Sequence, residues 1–288
     1  MYMTAVWITL GVLLTFFLLH LFLMLTRRKR ATAAPLITTP YAHRGLHGAD
    51  VPENSLAAFR AAVEAGVGIE LDVQLSADGE VMVFHDESLL RMAGKDGSLY
   101  AHTCEELSLL RLAGTDEHIP TLREVLALVA GRVPLLVEIK PEHAVTSLCA
   151  KTAALLDAYD GAYMIESFHP LAVRWFCKNR PAVVRGQLSA HLFVRGKRTA
   201  SLFLVENLLL NFLARPDFIA FDYHHKNRYS FALCRFIYRP YTLAWTVTDE
   251  EGLRASRNFD GIIYEKLSVS ALSLAGRYTP NEGKRNDL

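Results

Sequence analysis

Three acidic residues are spaced so that they can share one cation. Glu70 and Asp72 are two positions apart in a short β-branched run, so on a strand both side chains project from the same face. Glu138 ends a similar run and supplies a third carboxylate from another strand. Neighbouring carboxylates repel each other unless a cation neutralises them, and an oxygen-only donor set suits Mg²⁺ or Ca²⁺. The sequence therefore predicts one divalent-cation site.

Two histidines, His43 and His85, each end a predicted strand beside further charged residues. Imidazole titrates near neutral pH, so one ring can take a proton from a nucleophile while the other donates a proton to a leaving alcohol. Phosphodiester hydrolysis benefits from both transfers because its alkoxide leaving group is poor. We therefore predict that His43 and His85 are a catalytic acid–base pair. The alternative is that each histidine is structural.

Two cations, Arg44 and Lys140, accompany these groups. A guanidinium binds phosphate oxygens as a fork and an ammonium adds a point charge, so together they can offset charge on a phosphate. The alternative is a structural ion network in which both cations pair with Glu70 and Asp72.

Strand-like and helix-like segments alternate along the chain. The predicted strands are residues 41–44, 68–74, 81–85, 133–139, 162–167, 182–187, 218–221, 243–246 and 261–264. The predicted helices are residues 55–65, 121–130, 144–159, 170–179, 227–239 and 249–258. This alternation indicates an α/β fold with a parallel sheet, and residues 40–275 are close to the roughly 250 residues of a TIM-type (β/α)8 barrel. An open doubly wound sheet is the alternative, but no glycine-rich nucleotide motif supports it.

Two segments depart from this alternation. Residues 87–119 are too long for an ordinary connection, and we interpret them as a small insertion at the barrel mouth. Residues 202–213 are apolar but too short to span a bilayer, which favours a buried or half-buried barrel helix. The alternative is an interfacial helix, supported by the preceding Arg195, Lys197 and Arg198.

An uncharged apolar run precedes the predicted barrel. Residues 6–25 are long enough to span a bilayer, and the cluster Arg27-Arg28-Lys29-Arg30 follows the run as in a stop-transfer sequence. We predict a transmembrane anchor over residues 1–30, a linker over 31–39 and a flexible tail over 276–288. A cleaved signal peptide is the alternative. The positive-inside rule places the catalytic domain in the cytoplasm, on a single-pass protein of the cell membrane.

The overall composition argues against nucleic-acid binding. The formal net charge is +1, and because residues 1–30 hold four bases and no acid, the rest of the chain is slightly acidic. The four cysteines are scattered and none belongs to a C-x-x-C pair, so no disulfide framework is expected. This pattern weakly favours a reducing compartment.

Several motifs in register resemble the glycerophosphodiester phosphodiesterase family. They are HRG (43–45), PENS (52–55), IELDVQLSADGEVMVFHDESLLR (69–91), IPTLREVL (119–126), LLVEIK (135–140), LAWTV (243–247) and FDGII (259–263). The chain departs from the family where Tyr264-Glu265-Lys266 replaces a common T-D-x-P string, and residues 188–216 match poorly.

The resemblance implies a barrel with a divalent cation held by Glu70, Asp72 and Glu138 and an acid–base pair of His43 and His85. It also implies that the remaining family positions line the phosphate, metal and substrate pocket; these are Arg44, Glu53, Asn54, Lys140 and Trp245. Trp245 is otherwise an ordinary core aromatic, and Glu53-Asn54 otherwise cap the first helix.

The predicted function is metal-dependent hydrolysis of a glycerophosphodiester to an alcohol and sn-glycerol 3-phosphate. One alternative is a lysophospholipase D that acts on membrane lysophospholipids, suggested by the anchor and by residues 202–213. The other is a membrane-bound binding module without catalysis.

Overall fold

Eight parallel strands form a closed barrel. The structure is a computed structural model that describes residues 2–141, 143–192 and 199–277. The strands are β1 (Tyr41–Ala42), β2 (Gly68–Leu75), β3 (Val81–Val83), β4 (Leu135–Ile139), β5 (Tyr163–Ser167), β6 (Arg185–Ser189), β7 (Phe218–Asp222), β8 (Tyr241–Val247) and β9 (Gly261–Tyr264). All but β3 follow one another around the barrel, and β1 closes it by pairing with both β2 and β9. The prediction of a TIM-type barrel is confirmed.

The third predicted strand does not belong to the barrel. Residues 81–83 pair antiparallel with the end of β2, with Val83 opposite Val73, whereas the sequence pattern had suggested another parallel strand. The short turn at residues 76–80 reverses the chain, so no crossover helix separates the two strands. The backbone N–H of Phe84 then donates to the carbonyl of Asp72 at 3.0 Å, which brings the following residue, His85, back to the level of Asp72.

Helices follow the strands and surround the barrel. They are α1 (Tyr2–Leu23), α2 (Ala34–Thr38), α3 (Leu56–Ala65), α4 (Leu90–Ala93), α5 (Cys104–Ser108), α6 (Leu122–Val129), α7 (Val145–Asp157), α8 (Pro170–Asn179), α9 (Ala200–Glu206), α10 (Tyr229–Tyr238), α11 (Glu250–Ala255) and α12 (Val269–Leu274). Ser55 caps α3, and Thr121 with Glu124 forms the expected capping box on α6.

Alternate residues along each strand face the helices and the barrel interior. On β4, Val137 packs in the core between strands and helices, whereas Leu136 packs in a second core inside the barrel. On β2, Leu71 belongs to the outer core, so the flanking Glu70 and Asp72 face inward. The interior is therefore apolar at the amino ends of the strands and acidic toward their carboxyl ends.

The segment between the apolar helix and the barrel is folded, unlike the linker that the sequence suggested. Residues 31–38 form a 3₁₀ turn and α2, with Ala33 and Ile37 completely buried in the core inside the barrel. A Cβ on Gly261 would lie 1.9 Å from the Ile37 carbonyl oxygen, so only glycine at this position of β9 permits the close approach. Arg30 pairs with the buried Asp217 at 2.9 Å, and Lys29 pairs with Asp260 at 2.5 Å.

The N-terminal helix α1 has the length and composition to cross a membrane. Its 22 residues include no buried side chain, and of the described helices it alone passes that test of length and hydropathy. Near its end, Phe22 contacts Phe212, and the Tyr238 hydroxyl donates to the Leu21 carbonyl at 2.5 Å. The last turn of α1 therefore docks beside α10 while the rest extends away from the barrel.

The insertion packs at the carboxyl end of the barrel, where Arg91 contacts Glu53, and the apolar segment 202–213 lies in the connection between β6 and β7. Residues 87–119 form α4, α5 and two 3₁₀ turns around a small apolar core that includes Leu89, Leu107 and Leu112. Residues 200–213 form α9 and a 3₁₀ turn rather than one continuous helix, and the buried Glu206 pairs with His191 and Arg228. The basic residues 195–198 lie outside the described residues, so the interfacial interpretation stays a prediction.

We expect Ile37→Ala to lower the free energy of unfolding by about 2–5 kcal/mol, because it opens a cavity inside the barrel. The melting temperature of the full chain in detergent, followed by intrinsic fluorescence, should fall by roughly 2–4 °C for each kcal/mol lost. Thr38→Ala, one position away and exposed, is the matched control and should change little. Equal melting temperatures for Ile37→Ala and wild type would show that residues 31–38 do not stabilise the barrel.

Candidate active site

A tight turn after β1 places the first functional residues. Arg44 and Gly45 both have left-handed backbone conformations, with φ of 55° and 82°. A side chain at position 45 would also contact the Cβ of Ala58 at 2.8 Å, so glycine is required there for two reasons. The turn aims the backbone N–H of Arg44 at the Glu70 carboxylate, where it donates at 2.8 Å. The HRG motif is thus a structural unit that joins β1 to the acidic residues of β2.

The three predicted cation ligands converge at the carboxyl end of the barrel. Asp72 on β2 lies directly opposite Glu138 on β4, and one oxygen from each of Glu70, Asp72 and Glu138 lies within 4.8 Å of the other two. Their side chains are nearly inaccessible to solvent. The oxygens are hard donors in a buried, like-charged group, which is the chemistry that binds Mg²⁺ or Ca²⁺.

Burial and mutual repulsion change the pKa values of these acids. Burial, together with Asp72 and Glu138, raises the pKa of Glu70 well above its usual value. Burial and Asp72 raise the pKa of Glu138 to about 7, against the opposing effect of Lys140. For Asp72, burial is outweighed by the nearby Lys140, His85 and Arg44, so its pKa is lowered. Without a bound cation the group therefore retains protons near neutral pH.

Cationic and amide groups hold Asp72 in place. The Asn54 amide donates to its Oδ2 at 2.8 Å, the Arg44 Nε lies 3.4 Å from the same oxygen, and Lys140 Nζ lies 3.6 Å from Oδ1. Lys140 also lies 3.5 Å from Glu138. The two cations thus border the acidic group, as both the catalytic prediction and the structural ion network required.

Each predicted catalytic histidine has a carboxylate at its Nδ1. His85 Nδ1 lies 2.6 Å from Asp86 Oδ1, and His43 Nδ1 lies 3.1 Å from Glu265 Oε2. A carboxylate at Nδ1 favours the proton on that nitrogen and leaves Nε2 as the reactive atom. Burial lowers the pKa of His85 despite the opposing effect of Asp72. The hydrogen bond from His43 lowers the pKa of Glu265 to about 2.

The two histidines, Glu70 and Glu138 line a narrow cavity of about 50 Å³. Trp245, which stacks edge-on against Phe168 at 5.6 Å, forms part of its wall. The indole Nε1 of Trp245 is buried and has no hydrogen-bond partner among the residues that the structure describes, so it is available as a donor to a ligand. Nine of the residues singled out from the sequence thus lie at this mouth: His43, Arg44, Asn54, Glu70, Asp72, His85, Glu138, Lys140 and Trp245.

Sequence reasoning missed two further acids of the site. Glu166 on β5 pairs in register with Glu138 and lines the same cavity, and burial raises its pKa well above the usual value. The alternation of inward and outward side chains along β5 is the sequence signal that places Glu166 inside the barrel. Glu265 was noted only as a family departure, although its position directly after β9 predicts that it reaches the mouth.

Glu53 has a role beyond the helix start. It accepts hydrogen bonds from Arg44 at 2.6 Å and from Arg91 of the insertion at 2.7 Å, while Arg91 Nε donates to Asp86 at 2.5 Å. The insertion therefore braces both the HRG turn and the partner of His85. Burial is outweighed by these arginines, so the pKa of Glu53 is lowered.

A second, larger cavity adjoins the acidic group. Its volume is about 640 Å³, and Glu138 and Phe168 line both it and the narrow cavity. Most of its other walls are apolar side chains from α8 and the segment that follows β6; these are Leu171, Leu202, Val205, Leu210 and Leu213. The narrow acidic cavity and the larger apolar cavity therefore share a wall.

This architecture, a (β/α)8 barrel with carboxylates, two carboxylate-paired histidines and two cations at its carboxyl end, defines a hydrolase-type barrel site. Residues 43–192 match the model of the glycerophosphoryl diester phosphodiesterase family. That match covers more than half of the chain and includes most of the residues described above. The chain belongs to this family.

Individual relatives agree with this assignment. A glycerophosphodiester phosphodiesterase of Caldanaerobacter subterraneus is 36% identical over 165 residues, which are 52% of this chain and 66% of that protein. A phosphodiesterase of Oleispira antarctica, solved with the product sn-glycerol 3-phosphate, is 25% identical with a TM-score of 0.67, covering 81% of this chain and 94% of its own. The Thermotoga maritima glycerophosphodiester phosphodiesterase is 28% identical with a TM-score of 0.60, covering 78% and 93%. The matched part of the chain spans slightly less than two thirds of the length of the curated relatives.

We predict that the affinity for Mg²⁺ or Ca²⁺ falls as the pH is lowered from 8 to 6. Glu138, with its pKa near 7, and Glu70, with its raised pKa, must lose protons before they can bind a cation. Calorimetric titration in buffers of different ionisation enthalpy should show proton release on binding. If no proton were released on cation binding at pH 7, the predicted link between deprotonation of these acids and cation binding would be wrong.

The same shifts predict how the metal-free protein responds to pH. At Glu70 and Glu138 the native state binds more protons than the unfolded state, so the contribution of these two acids to the free energy of unfolding should decrease as the pH rises from about 4.5 toward 7. Glu138→Gln should reduce this loss and should also abolish the rise in melting temperature on adding the cation.

Proposed function

We propose that this protein hydrolyses glycerophosphodiesters to an alcohol and sn-glycerol 3-phosphate. The observation that carries the proposal is the convergence of a three-carboxylate group, two cations and two carboxylate-paired histidines at the carboxyl end of the barrel, around and beside one small cavity. Family membership and the product bound to the Oleispira antarctica phosphodiesterase support the substrate class.

The carboxylate group fits a divalent cation on its own chemistry. Three buried acids with oxygens within 4.8 Å of one another have unfavourable mutual repulsion that a cation would remove, and Asp72 Oδ1 has no hydrogen-bond partner among the described residues. Glu70, Asp72 and Glu138 would hold the ion. When bound, it would supply positive charge that stabilises the additional negative charge of the reacting phosphate.

The side chains of this protein would bind and orient the diester. Lys140 and Arg44 stand beside the acids and would share the charge of the phosphate oxygens, with Arg44 fixed by its ion pair to Glu53. The unpartnered indole N–H of Trp245 would donate to an oxygen of the substrate. Restricting the phosphate in this way lowers the entropic cost of reaching the transition state.

The two histidines would then move the protons. Nε2 of one ring takes a proton from water or from a neighbouring hydroxyl of the substrate, and the oxygen that loses the proton attacks phosphorus. Nε2 of the other ring donates a proton to the bridging oxygen as its bond to phosphorus breaks, which releases the neutral alcohol. Attack by the hydroxyl gives a cyclic phosphate, which water then opens to sn-glycerol 3-phosphate while the two rings exchange roles. Asp86 and Glu265 hold the Nδ1 protons and stabilise each ring when it becomes positively charged. The two arrangements are similar enough that either histidine can be the base.

We expect His43→Ala and His85→Ala each to lower kcat for glycerophosphocholine by about 10²–10⁴, the usual contribution of an acid–base group. The rise in melting temperature on adding the cation should be retained, because neither histidine is a predicted ligand. His224→Ala is the matched control, since His224 also pairs through Nδ1 with a carboxylate, that of Asp222, but is 63% exposed. Release of sn-glycerol 3-phosphate, coupled to its dehydrogenase, is the measurement. Wild-type turnover in either active-site variant would refute the assignment.

A second candidate substrate, a lysophospholipid, is favoured by the apolar cavity. At about 640 Å³ it lies within the roughly 300–1,000 Å³ of small-molecule sites. Because Glu138 and Phe168 belong to both cavities, a single acyl chain could occupy the apolar space while its phosphodiester lies beside the histidines. Hydrolysis would then be of the lysophospholipase D type, releasing the head-group alcohol.

Leu202→Trp should fill part of this cavity and distinguish the two substrates. Displacing about two methylenes of an acyl chain costs about 1.6 kcal/mol, so kcat/KM for lysophosphatidylcholine should fall roughly tenfold or more. Turnover of glycerophosphocholine should stay at the wild-type level. Leu109→Trp, on an exposed leucine of the insertion, is the control. Equal effects of Leu202→Trp on both substrates would argue against an acyl site.

We further propose that α1 anchors the protein in the cell membrane with the barrel in the cytoplasm. Its length and composition support an anchor, and the following basic cluster supports the orientation. In sealed inside-out vesicles, added protease should digest the barrel, whereas in intact spheroplasts the barrel should be protected. The opposite pattern would place the barrel outside.

A further inference from the structure

We propose that His43, His47 and Glu265 form an inhibitory binding site for Zn²⁺ or a similar transition metal, separate from the carboxylate site. These residues come from the turn after β1 and from the position after β9. The inhibitory effect rests on the proposed function of His43, whereas metal binding at the three residues does not.

The donor atoms are already nearly in coordination geometry. One ligand atom from each residue lies within 4.8 Å of the other two. Within this group His43 Nδ1 is 3.1 Å from Glu265 Oε2, and His47 Nε2 is 3.9 Å from Glu265 Oε1. Zinc ligands at bond lengths of 2.0–2.1 Å in a tetrahedron lie about 3.3 Å apart. Separations of at most 4.8 Å must therefore shorten by up to about 1.5 Å, divided between two side chains, to complete three bonds and leave a fourth position open.

The chemical types of the donors select the class of metal. Two imidazoles with one carboxylate suit zinc and related transition metals, whereas the oxygen-only group of Glu70, Asp72 and Glu138 suits Mg²⁺ or Ca²⁺. The two sites would thus take different ions from the same solution. The His43 ring is hydrogen-bonded to Glu265 and not to Glu70 or Asp72, so its movement toward zinc does not require the carboxylate site to rearrange.

The environment of His47 also favours metal binding. Its side chain is 15% exposed, and its Nε2 is buried without a hydrogen-bond partner among the described residues. Burial lowers the pKa of His47 despite the opposing effect of Glu265 and Glu53, which favours the neutral ring that metals bind. The neighbouring Lys266 pairs with Glu265, with its Nζ 3.2 Å from Glu265 Oε1. The Lys266 side chain is 72% exposed, so it can move into solvent and leave the Glu265 carboxylate to a metal.

Zinc on His43 would stop acid–base catalysis for a simple reason. A ring whose Nδ1 is bonded to zinc keeps its single proton on Nε2, and it can no longer accept a proton there. The metal would also take the Glu265 carboxylate that otherwise orients His43. The enzyme would therefore be switched off while substrate and Mg²⁺ or Ca²⁺ still bind.

The test compares His47→Gln with wild type, using the full chain in detergent. ZnCl₂ is titrated in a calorimeter and in the glycerophosphocholine assay, both in excess Mg²⁺. We expect one zinc per chain with inhibition in the wild type, and at least a tenfold weaker effect of zinc in His47→Gln, whose basal turnover should be unchanged. His118→Gln, which alters a histidine paired with Glu124 in the insertion, is the matched control and should retain inhibition.

Two further readings make the outcome decisive. Co²⁺ bound to two imidazoles and a carboxylate should give visible absorption in the wild type and not in His47→Gln, whatever the diesterase activity. The melting temperature of His47→Gln without zinc reports whether the variant is folded. Inhibition that persists in folded His47→Gln, or that weakens as the Mg²⁺ concentration is raised further, would place zinc on the carboxylate group and overturn the proposal. Absence of diesterase activity with zinc binding intact would instead contradict only the proposed function.

Discussion

The structure depends on a concentration of negative charge that it cannot neutralise completely by itself. Glu70, Asp72 and Glu138 face one another inside the barrel mouth, with Glu166 beside them, and all four are buried. Two cations, Arg44 and Lys140, oppose this charge, but the pKa values of Glu70 and Glu138 remain raised. A barrel that keeps such an unfavourable group has reduced stability in the absence of a ligand, which is typical of a site built to bind a cation and a phosphate.

The surrounding structure serves to hold this group in position. The left-handed turn at Arg44 and Gly45 brings a backbone donor to Glu70, and the antiparallel strand β3 returns His85 to the level of Asp72. The insertion adds Arg91, which joins Glu53 to Asp86. At the opposite end, Ile37 and the basic residues before α2 close the barrel. The site is therefore supported by segments outside the eight parallel strands as well as by the strands themselves.

Periodicity and motif spacing predicted the barrel and the convergence of Glu70 with Asp72, because alternation along a strand is a local property. The same local rule could not show that residues 81–83 pair antiparallel with β2, since a short β-branched run has the same pattern in a parallel and in an antiparallel strand. Residues 31–38 resembled a linker because only two of their small apolar side chains are completely buried. Glu265 and His47 are distant in sequence, and only the closure of β1 against β9 brings them together.

Hydrolysis should require a cation bound at the three carboxylates, and removing the cation with a chelator tests this requirement most directly. Purified full-length protein would be treated with EDTA, freed of chelator, and assayed for sn-glycerol 3-phosphate release from glycerophosphocholine before and after adding Mg²⁺ or Ca²⁺. The account predicts that activity is lost on chelation and restored by one of these ions in the wild type but not in Glu70→Gln. Full activity in metal-free protein, or equal restoration in Glu70→Gln, would contradict it.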